Sequence, residues 1–191
     1  MSTQQKRLNL GSGDYARAGW INVDWQEGPH TDVVHDLNVF PYPFADDSIS
    51  EIEMFHCLEH LDRPFRVMKE LHRILAPGAK LHIKVPHFSR GMTHAEHEHG
   101  FDVTFPTYFN PNFKTSGYYG FEFQCEKTEL HWEPFFHLMA YLGYGKVSIT
   151  IMRGLNAVFS FFANLSPAFC SRIWCFWVGG FNEIEFIFSK K

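Results

Sequence analysis

Two glycines and an aspartate near the N-terminus form the first group of residues whose types and spacing suit a chemical task. Gly11 and Gly13 directly follow the apolar run 7–10, and Asp24 ends a second apolar run. Glycine lets backbone N–H groups approach a ligand closely, because no Cβ stands in the way and a positive φ costs little. A carboxylate at the end of the next strand is placed to accept hydrogen bonds from two ribose hydroxyls. The pattern predicts a ligand that carries a ribose, but glycine turns are common and this one alone is weak support.

Histidines are concentrated in the segment 87–99, which contains His87, His94, His97 and His99 together with two glutamates. An unperturbed imidazole titrates near neutral pH, so it can accept a hydroxyl proton as a general base. His94 is the first candidate for that role and His87 the second. Histidines and carboxylates also bind metals, so a metal-dependent enzyme built on His94, His97 and His99 is an alternative, although their spacing matches no established ligand pattern. An ordinary surface or core position also remains open for each histidine.

The elements that must position these residues follow from apolar periodicity. Strands are predicted at 7–10, 20–23, 32–34, 50–55, 80–85, 146–152 and 183–188, and helices at 64–75 and 130–142. Apolar runs that alternate with helical patterns predict a Rossmann-like α/β fold: a mostly parallel sheet, a C-terminal antiparallel strand pair and helices on both faces. Ligands bind such sheets beyond the carboxyl ends of the strands, where the residues above are expected to meet.

Two segments are predicted to be insertions, at 88–129 and 153–182. The first lacks a sustained period, and long segments of that kind often form lids. Its aromatic residues Tyr108, Phe109, Phe113, Tyr118 and Tyr119 are candidates for a lid or an acceptor wall. Within the second, the apolar stretch 155–181 is a candidate contact with a protein or a membrane surface, but its polar interruptions exclude a membrane span.

The spacing between Gly13 and Asp24 is 11 residues, where a dinucleotide-binding fingerprint places its acidic residue about 20 residues on. This distance leaves room for a loop with at most one turn of helix. The sequence therefore argues against a dinucleotide dehydrogenase, whose pyrophosphate depends on a helix N-terminus at that position.

A family resemblance rests on LNLGSG, on Asp24 and on the stretch ADDSISEIEMFHCLEHLDRPFRVMKELHRILAPGAKLHIKVP at 45–86. Together these segments resemble the class I S-adenosylmethionine-dependent methyltransferases, in a compact form that lacks most of the first crossover helix. The resemblance covers roughly residues 7–88, and 47–86 is its most specific part. It implies S-adenosylmethionine as cofactor and methyl transfer as the reaction. We expect a small-molecule or glycan acceptor that is methylated at a hydroxyl group. A non-catalytic cofactor-binding or scaffold relative is the alternative.

The resemblance also implies roles for individual residues. Gly11, Ser12 and Gly13 would hold the amino-acid end of the cofactor, and Asp24 its ribose. Asp36 and Leu37 would flank the adenine. His56 would lie near the sulfonium or the amino-acid part. Apart from the resemblance, His60 is either a site residue or a helix-start residue packed under the sheet, and the second interpretation is favoured.

Composition limits the remaining possibilities. A chain of 191 residues suits one domain, 1–191. A net charge of -4 without a basic run argues against a nucleic-acid substrate. The N-terminal segment has no signal-peptide pattern, so a cytoplasmic location is expected. The four cysteines of the chain are expected to form no disulfide, and Cys170 and Cys175 are the pair to check.

Overall fold

A computed structural model describes residues 6–113 and 117–191, so the first five residues of the N-terminal segment lie outside the described part. Seven strands form one sheet in the order β3-β2-β1-β4-β5-β7-β6. Their bounds are β1 Lys6–Leu10, β2 Ile21–Asp24, β3 Val33–Val34, β4 Ile49–Phe55, β5 Leu75–Pro86, β6 Phe123–His131 and β7 Glu183–Lys190. The first five strands are parallel, and β7 runs antiparallel to both β5 and β6. The predicted Rossmann-like α/β class with a C-terminal antiparallel pair is confirmed.

Five helices accompany the sheet in the described residues: α1 Pro64–Ile74, α2 Phe88–Gly91, α3 Phe136–Tyr141, α4 Lys146–Leu165 and α5 Pro167–Arg172. In α1, Val67, Met68 and Leu71 are fully buried, as their helical spacing predicts. The helix ends at Ile74, because Leu75 adopts an extended conformation and begins β5 at once. The strand predicted at 80–85 is therefore longer at its start and runs through Pro77 and Gly78.

The connection from β1 to β2 contains no helix in residues 11–20, all of which the structure describes. Hydrogen bonds to Asn22 hold this short loop in place. The Asn22 side chain accepts from Asn9 Nδ2 at 3.0 Å and from the Arg17 backbone N–H at 2.8 Å. The predicted loop crossover is confirmed, and it brings the glycine turn directly beside the end of β2.

Three predictions for the C-terminal half are wrong. Residues 123–131 form β6 and not the end of an insertion, the helix predicted at 130–142 is only α3, and the strand predicted at 146–152 is the first part of α4. Alternating Val147, Ile149 and Ile151 imitate a strand pattern. The cause of the error is that many apolar side chains of α4 face outward, so their spacing does not report a buried face.

One polar stripe on α4 docks the helix onto the edge strand β6. Asn164 Oδ1 accepts from the Leu130 N–H at 2.8 Å, and Asn164 Nδ2 donates to the Leu130 carbonyl at 2.9 Å. One turn earlier, Ser160 Oγ accepts from the Trp132 N–H at 3.1 Å. Edge strands expose unpaired backbone groups that other chains can bind. Here a helix covers the end of that edge and pairs the backbone groups of Leu130 and the N–H of Trp132.

An apolar surface, which we call the α4 surface, extends over α4, its neighbours and the turn after α5. Its exposed members are Tyr141, Leu142, Tyr144, Val147, Ile151, Leu155, Val158, Phe161, Phe162, Leu165, Phe169, Ile173, Phe176 and Trp177. None of the described helices combines the length and the hydropathy needed to cross a membrane.

Candidate functional site

A cavity of about 470 Å³ lies at the carboxyl ends of the parallel strands, which is where α/β sheets place their ligands. The lining residues are Gly11, Asp24, Trp25, His35, Asp36, Leu37, Asn38, His56, Cys57, His60, Leu61 and Glu96. We call it the β-end cavity. Five of the seven residues predicted to bind the cofactor therefore line this one cavity: Gly11, Asp24, Asp36, Leu37 and His56.

The remaining two predicted cofactor residues, Ser12 and Gly13, stand directly behind that wall. Gly13 donates its backbone N–H to Asp24 Oδ2 at 2.8 Å, while Asp24 Oδ1 accepts from the Gln26 N–H at 3.1 Å. These bonds fix the orientation of the carboxylate. Ser12 is almost fully buried, and its Oγ has no hydrogen-bond partner among the described residues.

Gly11 is glycine because two separate constraints exclude a side chain there. Its φ is +68°, and a Cβ would lie 2.6 Å from Cys57 Sγ. Cys57, which sequence reasoning missed, thus forms the floor beneath the turn. Burial raises the pKa of the Cys57 thiol to about 12, so the group is a neutral packing element and not a nucleophile. Its position just after a predicted strand end was the available signal.

Asp36 and Leu37 shape the opposite end of the cavity. Asp36 Oδ1 accepts from the Asn38 N–H at 2.8 Å, and the Leu37 carbonyl accepts from the buried Tyr42 hydroxyl at 2.8 Å. The Leu37 side chain is buried while the Asp36 carboxylate is exposed. An apolar wall beside a carboxylate suits a planar ring that carries a hydrogen-bond donor.

His56 follows β4 in a left-handed conformation, with φ of 50°, that directs its ring into the cavity. Its Nε2 lies 2.7 Å from Glu183 Oε2 on β7, a partner that no local sequence pattern indicates. Burial alone would lower the pKa of His56, but the hydrogen bond to Glu183 and the nearby Glu59 carboxylate outweigh it and raise that pKa to about 9. The same pairing holds the pKa of Glu183 below its usual range, against the opposite effect of burial.

His87, the second candidate base, lies in the core and not at the cavity. It is fully buried, with Nε2 2.8 Å from Ser171 Oγ and Nδ1 2.7 Å from Ser89 Oγ. Burial lowers its pKa to about 4. A substrate hydroxyl has no route to this ring, which instead ties the end of β5 to α5.

Of the other three histidines of the segment, His94 and His97 lie together and His99 lies apart from them. His97 and His60 lie beside the buried carboxylate of Glu59, and His94 is exposed with its ring stacked on that of His97 at 4.5 Å between centroids. His99 instead lines a second cavity. His60 is a wall residue of the β-end cavity, so its interpretation as a residue packed under the sheet is wrong.

That second cavity, of about 660 Å³, adjoins the first, since Leu61 lines one and Asp62 the other. Its wall combines aromatic and charged side chains: Phe65, Phe101, Phe105, Tyr108, Tyr119, Arg63, Arg66 and Asp102. Of the aromatic residues predicted as a lid or wall, Tyr108 and Tyr119 are here, whereas Phe109 is fully buried in the core. We call it the aromatic cavity.

A part of the chain that contributes to the walls of both cavities matches a known family. Residues 16–83 match the family described as a methyltransferase domain. The whole fold is similar to a SAM-dependent methyltransferase from Archaeoglobus fulgidus, at 18% sequence identity and a TM-score of 0.58, over 98% of this chain and 87% of that chain. Residues 16–83 are thus similar to a methyltransferase domain, and the chain as a whole shares the fold of that enzyme.

Two further structures share this fold. One is an S-adenosylmethionine-dependent methyltransferase from Mesorhizobium loti, 12% identical, with a TM-score of 0.54 over 98% of this chain and 91% of that one. The other is the 4+2 cyclase SpnF, 13% identical, with a TM-score of 0.54 over 97% of this chain and 74% of that one. No curated protein matches the sequence. These identities show the fold alone, and a cyclase with this fold means that the reaction must be argued from the site.

The family match implies S-adenosylmethionine as the cofactor. The described residues fit such a molecule: a Cβ-free turn at Gly11, an unpartnered buried hydroxyl at Ser12 and an oriented carboxylate at Asp24 all lie at one end of the cavity. Its volume also falls in the range of roughly 300 to 1,000 Å³ typical of sites for molecules of this size.

Proposed function

We propose that this protein transfers a methyl group from S-adenosylmethionine to a hydroxyl group of a small-molecule or sugar-type acceptor. When bound, the cofactor supplies a methyl group that is already activated for displacement. The chain's own residues then have to bind both molecules, align them and exclude water. The observation that carries the proposal is the pair of adjoining cavities, because one fits the cofactor and the other provides a separate space beside it.

Within the β-end cavity we assign the cofactor's parts as the family resemblance implies. Gly11, Ser12 and Gly13 face the amino-acid end, and Asp24 accepts from the ribose hydroxyls. Asp36 and Leu37 flank the adenine, where the exposed Asp36 carboxylate can accept from an exocyclic amine. His56 stands at the amino-acid or sulfonium end of the cavity.

The aromatic cavity is the proposed acceptor site. Phe65 and Tyr119 stack in parallel there, with 4.3 Å between their ring centroids, and Arg63, Arg66 and Asp102 add polar groups to the wall. A surface with aromatic faces and a few charged groups suits a compact polar molecule that also has an apolar side, as sugars do. This support favours a small acceptor over a polymer that would need a long groove.

His94 remains the proposed general base, since it is exposed and lies beside the ring of His97 at the edge of the β-end cavity. An imidazole nitrogen that is open to the solvent can accept a proton from a hydroxyl group. Replacing His94 with Gln should lower kcat by 10- to 100-fold at neutral pH and leave cofactor affinity unchanged.

Calorimetry with S-adenosylmethionine, followed by transfer assays with isotopically labelled methyl groups and a panel of hydroxylated small molecules and sugars, tests the proposed function. Binding followed by label transfer to a hydroxyl supports it. Binding without transfer to any acceptor would favour the non-catalytic alternative, and absence of binding would contradict both.

We further propose that the α4 surface lies against an anionic membrane surface on the cytoplasmic side. Residues 134–182 contain Lys146, Arg153 and Arg172 but no acidic residue, although Arg172 pairs with Asp102 in the folded chain. Exposed aromatic and aliphatic side chains with a basic bias are typical of helices that lie in a bilayer interface. The free thiols of all four cysteines agree with a reducing compartment.

Co-sedimentation with lipid vesicles tests this location. Binding should be strong to vesicles that contain phosphatidylserine, weaker to neutral vesicles, and lower for a Val147→Glu, Trp177→Glu variant. Failure to bind either vesicle, or a stable dimer that buries this surface, would contradict the proposed membrane contact.

A further inference from the structure

The carboxylate of Glu59 is the least explained polar group near the β-end cavity. Glu59 is fully buried, and neither of its oxygens has a hydrogen-bond partner among the described residues. A buried carboxylate is strongly destabilising unless a positive group lies close to it. The nearest histidine, His56, is too far from Glu59 for a direct hydrogen bond, so this charge is only partly compensated.

Histidine nitrogens surround that carboxylate on three sides. His56 Nδ1 lies 3.6 Å from Glu59 Oε1, His60 Nε2 lies 3.9 Å from it, and His97 Nε2 lies 4.0 Å from it. These separations are too long for direct hydrogen bonds. The candidate ligand atoms of Glu59, His60 and His97 all lie within 4.8 Å of one another, so a single ion placed between them could contact all three.

The far nitrogens of two rings determine which tautomer faces Glu59. His60 Nδ1 lies 3.0 Å from the Glu96 carbonyl, and His97 Nδ1 lies 2.6 Å from the Gly91 carbonyl. A carbonyl oxygen only accepts, so each Nδ1 must carry the proton. In neutral rings both Nε2 lone pairs then point toward the lone pairs of a carboxylate, which is unfavourable without a cation between them.

We infer that Glu59, His60 and His97 bind one divalent transition-metal ion at the edge of the β-end cavity. Histidine ligands almost always donate their second nitrogen to a carbonyl or carboxylate, as His60 and His97 do here. Two histidines and one carboxylate form the ligand set of catalytic zinc sites and of other divalent ions, and such sites keep an open position.

The position suggests what the ion does. His56, His60 and Glu96 line the cavity, so the open coordination position would face it. A divalent ion there would bind an acceptor oxygen and lower the pKa of its hydroxyl group. That role rests on the proposed methyl transfer, whereas metal binding itself does not.

The chain offers a matched comparison in a second group, Glu129, His131 and Glu185. In that group His131 Nε2 lies 3.3 Å from Glu185 Oε2, and Lys84 Nζ lies 3.1 Å from the same oxygen. The carboxylate there already has cationic partners, so the second group is expected to need no ion.

The test is a calorimetric titration of the untagged, chelator-treated full chain with Zn²⁺, together with the visible absorption of the Co²⁺ form. We expect one equivalent bound and a 30- to 100-fold weaker affinity in His60→Gln and in His97→Gln, with little change in His131→Gln. Circular dichroism of each variant shows whether it is folded.

Absence of stoichiometric binding to the folded wild-type chain, or binding that His131→Gln removes and His97→Gln preserves, would overturn the metal site. Titration of the same samples with S-adenosylmethionine separates the two proposals. Cofactor binding without metal binding contradicts only the metal site, and metal binding without cofactor binding contradicts only the methyltransferase function.

Discussion

Gly11 and Cys57 approach each other so closely that a Cβ at position 11 would lie 2.6 Å from Cys57 Sγ. The contact joins the turn after β1 to the second residue after β4, and the ends of these two neighbouring strands form the floor of the β-end cavity. The contact limits how far the turn can move toward Cys57. The position of the turn therefore depends on the pairing of β1 with β4.

Gly11→Ala should therefore weaken S-adenosylmethionine binding at least tenfold, measured by calorimetry, because the turn has to move away from Cys57. Gly143→Ala is the matched control, since Gly143 also has a positive φ, of +85°, but open space around its Cβ position. Both variants carry a similar conformational cost of about 1 kcal/mol. Equal effects on cofactor affinity would contradict the proposed role of the contact.

Asp24→Asn should reduce cofactor affinity by roughly 10- to 100-fold, because an amide has only one acceptor oxygen for the Gly13 N–H, the Gln26 N–H and the ribose hydroxyls. Asp32→Asn is the control. Its carboxylate accepts from the Asn22 N–H at 2.8 Å outside the cavity, so this change should affect stability but not affinity. Unchanged cofactor affinity in Asp24→Asn would contradict the ribose assignment.

Asn164→Ala should destabilise the fold by about 2 to 4 kcal/mol in urea unfolding, because two groups of the Leu130 backbone would lose their partner. Hydrogen exchange at the Leu130 amide should become faster in the same variant. Asn156→Ala removes the bonds from the Glu133 N–H and from the Ser160 hydroxyl but leaves both Leu130 backbone groups paired, so a smaller effect is expected. An Asn164 variant as stable as the wild type would mean that α4 does not depend on this docking.

His87 should make stability depend on pH in the acid range. Its pKa is about 4 in the folded chain, below the value near 6.5 of an unfolded histidine. The unfolded state then binds the proton more readily, so this contribution is fully present above about pH 6.5 and is lost as the pH falls toward 4. The full difference corresponds to about 3 kcal/mol.

Unfolding free energies of the wild type and of His87→Gln, measured between pH 7 and pH 4, check this expectation. The wild type should lose more stability than the variant across that range, whereas His30→Gln, which changes an exposed histidine, should follow the wild type. Parallel pH profiles for the wild type and His87→Gln would show that the buried ring does not cause the dependence.

Sequence patterns predicted the first half of the fold well because its signals are local. Strands β1 to β4 are short apolar runs that end at glycine, aspartate or histidine, and α1 buries one continuous face. In the C-terminal half the same reasoning failed at 146–152, because apolar residues of α4 are exposed and its polar residues Asn156, Ser160 and Asn164 bind the edge of β6. Sequence periodicity indicates structure when apolar side chains are buried and polar ones are exposed. In α4 many apolar side chains are exposed and the polar ones face the sheet.

The amino-acid sequence by itself determined the glycine turn, its short distance to Asp24 and the succession of strands that places Asp36 and His56 at one edge of the sheet. Only the tertiary structure decided which histidines meet. His87 and His97 belong to one short segment, yet one is buried against Ser171 on α5 and the other faces Glu59 beside the cavity. Side chains within a loop point where long-range packing directs them, and that direction is not encoded in the spacing of neighbouring residues.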